Sequence, residues 1–155
     1  MVMSKQNISQ IIIRPALPSD IDRIYSLELL CFRDPWSRDS HADGLSNPDS
    51  VFVVLQSSEG AAVIGFACAV IVLDEAHIHN IAVHPDYRRA GLGGRLVDGL
   101  LSEAARRGAS RACLEVRASN HPAIRVYEKR GFKIDGVRKK YYQDGEDAVL
   151  MSCAY

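Results

Sequence analysis

The chain lacks a charge bias, a cysteine pair, a long apolar run and any internal repeat, and each lack removes a class of protein. Lys plus Arg and Asp plus Glu number 19 each among 155 residues. With no global positive field, neither nucleic acid nor an anionic membrane is expected as a partner, and any anion site has to be built locally. Cys31, Cys68, Cys113 and Cys153 lie far apart with no CxxC spacing. Their apolar neighbours predict buried thiols rather than disulfides or a metal cluster, so no metal is expected. No apolar stretch reaches the about 18 residues of a spanning helix, and the polar start from Met1 to Gln10 has no signal-peptide core. A cytoplasmic location is the expectation. Without low-complexity tracts or linkers the chain reads as one domain over 8–155, preceded by a flexible 1–7. Hydrophobic content of 47% and charged content of 25% are ordinary for a globular domain. Such a domain buries roughly 70% of its unfolded surface.

The punctuation predicts an α+β order, β-α-α-β-β-β-α-β-α-β-β. Ile8 to Arg14 reads as a strand stopped by Pro15. Pro18 opens a helix with Ile21, Ile24, Leu27 and Leu30 at helical spacing, capped by Ser19 or Asp20. Ser37 caps a short helix ending near Gly44, and a three-strand meander follows: Val51–Gln56, Ala62–Leu73 and Ala76–Val83, with a hairpin turn at 57–60. Leu92, Leu96, Val97, Leu100, Leu101, Ala104 and Ala105 form a helical stripe ending at Arg106-Arg-Gly108. A strand at 112–117, a short helix around Pro122 and a hairpin of 132–137 with 147–154 complete the chain.

The stretch that organises the rest is Arg88-Arg-Ala-Gly-Leu-Gly-Gly94, set between the strand ending Ile81-Ala-Val83 and the long helix. A helix N-terminus reached through glycines offers free N–H groups and a positive dipole end, which suits phosphate. The sequence has no GxxxxGK[ST], which removes a Walker A loop. A dinucleotide fingerprint also fails: Leu96 stands at the third glycine position, and the turn from Val83 to Gly91 is too long.

What is left is Arg-x-x-Gly-x-Gly, and five further motifs follow the family spacing. They are Phe32-x-x-Pro-Trp-Ser37, Leu114-Glu-Val-Arg-Ala-Ser-Asn120, Val126-Tyr-Glu128, Gly131-Phe132, and Tyr141-Tyr142 before Gly145-Glu-Asp-Ala148. Together they resemble the GNAT family of acetyl-CoA-dependent N-acetyltransferases, and within it the ribosomal-protein alanine N-acetyltransferases. The resemblance covers nearly the whole chain. It implies a single GNAT-like domain, a mostly antiparallel sheet splayed between two strands and flanked by about four helices.

The resemblance further implies acetyl-CoA as cosubstrate. Its pyrophosphate would lie on the loop of Arg88, Arg89, Ala90, Gly91, Leu92, Gly93 and Gly94. Its pantetheine arm would lie along the backbone of Ile81, Ala82 and Val83, with Asn120 hydrogen-bonding the cofactor. Amine acetylation needs a deprotonated nucleophile, oxyanion stabilisation and an acid for the departing thiolate. Glu115 matches the family base and Tyr127 the family acid. The residues alone leave other readings open. Strand alternation puts Glu115 beside Arg117, so the two could be a structural ion pair, and Tyr127 could be packing. Asn120 could be only a cap before Pro122. His77 or His79, entering the same cleft, could share or replace the base.

On the acceptor side Trp36, Tyr141 and Tyr142 are expected groove walls. The implied acceptor is a protein N-terminus, with ribosomal protein S18 as the family partner, reached by direct transfer because no cysteine occupies a matched catalytic position. Arg33 and Asp34 depart from the motif by placing two charges in this loop. A small-molecule amine such as a polyamine, and a non-catalytic acetyl-CoA-binding module, are the alternatives.

Overall fold

The computed structural model describes residues 10–58 and 61–155. The segment 1–7, expected to be a flexible start, the first residues of the strand expected from Ile8, and the second half of the turn expected at 57–60 lie outside the described residues. The elements are β1 (Ile11–Pro15), α1 (Ile21–Cys31), α2 (Arg38–Ser46), β2 (Ser50–Ser57), β3 (Val63–Val72), β4 (Glu75–Val83), α3 (Leu92–Arg106), β5 (Arg111–Arg117), α4 (His121–Glu128), β6 (Lys133–Arg138) and β7 (Ala148–Ala154). Their order is the one the sequence predicts.

They form one seven-stranded sheet, ordered β1-β2-β3-β4-β5-β7-β6. Neighbours are antiparallel except β4 and β5, which are parallel because α3 crosses over between them. Pro15 is the last residue of β1 rather than outside it, which an edge strand tolerates. The meander β2-β3 is buried on both faces. One face takes the α3 stripe, where Leu92, Leu96, Val97 and Leu100 pack with Val51, Val53, Leu55, Ile64 and Ala67. The other takes α1, where Ile24 and Leu27 meet Phe52, Val54 and Phe66. Ala105 is exposed, so the stripe is narrower than its apolar letters suggest.

Two details of α1 depart from expectation. Asp20 stands at the N-cap of α1 as expected, but its side chain makes no cap bond there: it closes the 3-10 turn ahead, accepting the Leu17 N–H at 2.7 Å and pairing with Arg14 at 2.8 Å. Leu30 is 54% exposed, while Glu28 is 1% exposed. At about 100° per residue position 28 falls back on the Ile21–Ile24 face and position 30 opposite it. Ser37 caps α2 as predicted, accepting the Ser40 N–H at 3.1 Å.

Candidate active site

The site begins where β4 leaves β5. The two strands pair only at Glu75–Arg111, Ala76–Ala112 and His77–Cys113. Asn80 lies opposite Cys68 and Ile78 opposite Ala69, so His79 is an extra, unpaired residue in β4. A bulge bends its strand and increases twist. From here β4 follows β3 while β5 follows β7, and a cleft opens through the sheet. Two cavities of about 480 and 610 Å³ share Ile81, Gly93, Asn120, Ala123 and Val126. A third, of about 470 Å³, shares His79, Asn80, Glu115 and Tyr142 with the first.

The larger cavity is bounded by the glycine loop. Arg89 and Gly91 both take left-handed backbone, at φ 64° and 74°, before α3 starts at Leu92. Such alternation turns successive N–H groups toward one side, and the first N–H groups of α3 have no partner within the helix. Arg88, Arg89, Gly91, Leu92, Gly93 and Gly94 all line this cavity; Ala90 packs on the core. Gly94 has a second reason to be small. A Cβ there would overlap the Arg130 guanidinium, which donates to Gly94 O at 3.0 Å and to Asp98 at 2.9 Å.

Along β4, the Val83 carbonyl accepts from Arg88 Nε at 3.1 Å and from Cys31 Sγ at 3.6 Å, on the cleft side. His84 N–H donates instead to Ile64 O of the neighbouring strand. By alternation Ile81 and Val83 turn their peptide groups to the cleft, and Ala82 turns its own toward β3. Ala82 is buried in the core, and of the three residues matched to the pantetheine arm only Ile81 and Val83 line the cavities. Asn120 caps α4, accepting the Ala123 N–H at 3.3 Å, and lines both of the first two cavities, so the cap and the cleft position coexist.

At the junction Glu115 is exposed to the cleft and its carboxylate, among the described residues, makes no hydrogen bond or ion pair. The Glu115–Arg117 pair that alternation permits does not form. Arg117 instead reaches Asp144 at 2.8 Å and Glu146 at 3.0 Å, with its guanidinium 4.1 Å from the Tyr142 ring. Those partners lie on the β6–β7 loop, and Arg33 joins the same Asp144 at 3.0 Å from across the groove. One of the two unexpected charges in the Phe32–Trp36 loop is therefore an inter-loop tie; Asp34 is exposed.

Tyr127 is 9% exposed, with its ring 5.7 Å from Phe132. Burial, reinforced by Tyr142, pushes its phenol up to about 12, so it carries its proton throughout the neutral range. His79 stands edge-on to Trp36 at 5.6 Å. Partial burial and then the neighbouring His77 lower its pKa, against the pull of Glu115, and its ring is neutral at pH 7. Trp36, Tyr141 and Tyr142 converge around the third cavity. The two tyrosines meet edge-to-face at 5.1 Å.

Beneath the groove lies a buried polar cluster that sequence reasoning missed. Glu28 Oε1 accepts from Asn80 Nδ2 at 2.5 Å and pairs with His41 Nε2 at 2.8 Å. The His41 ring is fully buried among Trp36, Phe52 and Phe66, and its Nδ1 has no partner among the described residues. The only signal was an acidic residue in the buried register of α1.

This fold and site define an acyltransferase of the acetyl-CoA-using kind. Residues 21–132 match the Acetyltransferase (GNAT) family, and the chain belongs to it. It is 40% identical over 137 residues to the [ribosomal protein bS18]-alanine N-acetyltransferase of Escherichia coli K12, covering 86% of this chain and 90% of the relative. A Bacillus subtilis protein provisionally given the same name is 41% identical over 134 residues, 85% of this chain and 87% of that one. The crystal structure of the Escherichia coli ribosomal-protein-S18-alanine N-acetyltransferase superposes with a TM-score of 0.84 at 37% identity, covering 93% of each chain. Among the described residues no helix is long and apolar enough to cross a membrane.

Gly91→Val should weaken acetyl-CoA binding about tenfold, because left-handed backbone costs a branched residue roughly 1–2 kcal/mol. Calorimetric titration of the variant checks this, and unchanged affinity would remove the loop from the cofactor site.

Proposed function

We propose that this chain transfers the acetyl group of acetyl-CoA to the α-amine of a protein N-terminus, specifically the N-terminal alanine of ribosomal protein S18, in the cytoplasm. The observation that carries the reading is the cleft through the sheet, with an unpaired carboxylate, Glu115, where its two sides meet. Acetyl-CoA supplies an activated thioester. The left-handed loop and the peptide edge of β4 at Ile81 and Val83, which has no strand partner on the cleft side, fit a diphosphate joined to a slim amide-bearing arm. Entry from the opposite face brings the acceptor between the Trp36 and Tyr141–Tyr142 walls.

At the junction Glu115 takes the proton from the incoming ammonium, directly or through water, and Tyr127 gives its proton to the departing thiolate. His79, neutral and adjacent, is a second proton acceptor. Asp144, held by Arg33 and Arg117 from two different elements, fixes the groove width and draws Arg117 off Glu115.

A polycation would need several convergent carboxylates. Aromatic rings, two imidazoles and Glu115 line the acceptor mouth, which favours a peptide backbone over a polyamine. The test is thiol release from acetyl-CoA with a peptide beginning Ala-Arg, with a polyamine, or with no acceptor. Release only with the peptide is expected; turnover of the polyamine alone would overturn the reading.

Glu115→Gln should lose most activity at low pH. The α-amine has a pKa of about 7.7–8.0, so below it more acceptor carries the proton the base must remove. If His79→Ala abolishes the pH dependence instead, in pH–rate profiles of the two variants, the base is His79.

A further inference from the structure

At the end where β4 and β5 still pair, three ligand-bearing side chains meet. Glu75 and His77 are two apart on β4 and so share a face, and Cys113 is the cross-strand partner of His77. Cys113 Sγ lies 3.2 Å from Glu75 Oε1 and 3.3 Å from His77 Nδ1, and His77 Nε2 lies 3.1 Å from Glu75 Oε1. Each residue offers a ligand atom within 4.8 Å of the others, and all three are partly exposed. Cys113 is therefore not the core thiol its apolar neighbours predict.

An imidazole, a thiol and a carboxylate are the donors Zn²⁺ takes in sites with three protein ligands and an open fourth position. With Zn–S near 2.3 Å and Zn–N or Zn–O near 2.0–2.1 Å, tetrahedral ligands sit about 3.3–3.6 Å apart. The two separations from Cys113 Sγ, to Glu75 Oε1 and to His77 Nδ1, are close to that spacing, and the contact from His77 Nε2 to Glu75 uses the other ring nitrogen, so with Nδ1 as ligand the Glu75 carboxylate closes on the ion from within 4.8 Å. Without an ion the arrangement disfavours thiolate: burial and then Glu75 push the Cys113 thiol up to about 12. A bound cation reverses this, releasing the thiol proton to solvent.

The position has a consequence. His77 and Cys113 line the same cavity as Trp36, Tyr141 and Glu115, and Glu115 follows Cys113 by two residues on one face of β5. We propose that Glu75, His77 and Cys113 bind a thiophilic divalent cation, with Zn²⁺ as the reference ion, and that its occupation blocks the acceptor groove. An ion here puts positive charge beside Glu115 and opposes entry of an ammonium group. The binding half stands on the three ligands alone; the blocking half rests on the acetyl-transfer reading above.

The two halves are tested separately. The full chain, stripped with a chelator, is titrated with Co²⁺ in the absence of substrates. Expected is a near-ultraviolet thiolate-to-cobalt charge-transfer band that saturates at one ion per chain, is reversed by Zn²⁺ and is missing in Cys113→Ser. Glu75→Gln should weaken Zn²⁺ at least about tenfold in competition with a chromophoric chelator, because losing even an outer partner of a metal ligand costs about 10- to 100-fold. No band in the unmodified chain, or a band that survives Cys113→Ser, overturns the site.

For the blocking half, peptide acetylation is measured with and without Zn²⁺, and the ratio is compared within each protein. Inhibition in the unmodified chain and relief in Cys113→Ser are expected. Equal inhibition of both, or binding without inhibition, overturns the block. Absence of acetyl transfer under all conditions would overturn the proposed function while leaving the cobalt result to decide the site.

Discussion

Tyr127→Phe should lower turnover by about 100-fold or more while leaving acetyl-CoA affinity nearly unchanged, since a positioned general acid contributes about 10²- to 10⁴-fold. The change removes one oxygen and keeps the ring that packs on Phe132 at 5.7 Å. The phenol has no hydrogen-bond partner among the described residues, so its loss strands no buried group and the fold should be little affected. Burial holds the phenol protonated, which keeps it a donor at every pH where the protein is folded and neutral. Its rate contribution should accordingly show no titration of its own between pH 6 and 9. Single-turnover kinetics with acetyl-CoA and an Ala-Arg peptide measure the effect. A rate equal to that of the unmodified chain would leave Tyr127 as packing.

The largest stability effect should come from Glu28→Ala. Two donors, Asn80 Nδ2 and His41 Nε2, converge on Oε1, and all three residues are at most 9% exposed. Removing one partner of a buried polar pair costs about 3–5 kcal/mol because the others keep their desolvation penalty. In a domain of this length that lowers Tm on the order of 10 °C. Calorimetry or thermal unfolding followed by circular dichroism checks it. Asn80 adjoins the bulge at His79, so the acceptor KM should rise as well, whereas a core truncation away from β4 should change only Tm. A fall of less than about 1 kcal/mol, the ordinary net value of a single hydrogen bond, would show the cluster to be dispensable.

Much of this protein was legible in one dimension because its signals are local. The period of α3, the serine ahead of α2, Pro122 and the glycines each act within a turn or two of the residue concerned, and they reproduce the element order. The shape of the glycine loop was legible for the same reason: Arg89 and Gly91 adopt their left-handed backbone inside the motif itself. Alternation on β5 likewise put Glu115 and Arg117 on one face. It could not say whom Arg117 would choose.

The chain's letters, then, determined the elements and the left-handed loop that bounds one end of the cleft. Tertiary structure alone decided the rest. Arg117 finds Asp144, 27 positions away, and Arg33 finds it from 111 positions away, which frees Glu115. Glu28 meets Asn80 across 52 positions, and Cys113 meets Glu75 across 38. The bulge at His79 exists only in register with β3, and the cleft exists because that bulge carries β4 away from β5. Such pairings follow from register and crossover, which no short window of sequence contains, because each residue's partner is set by where distant strands come to lie.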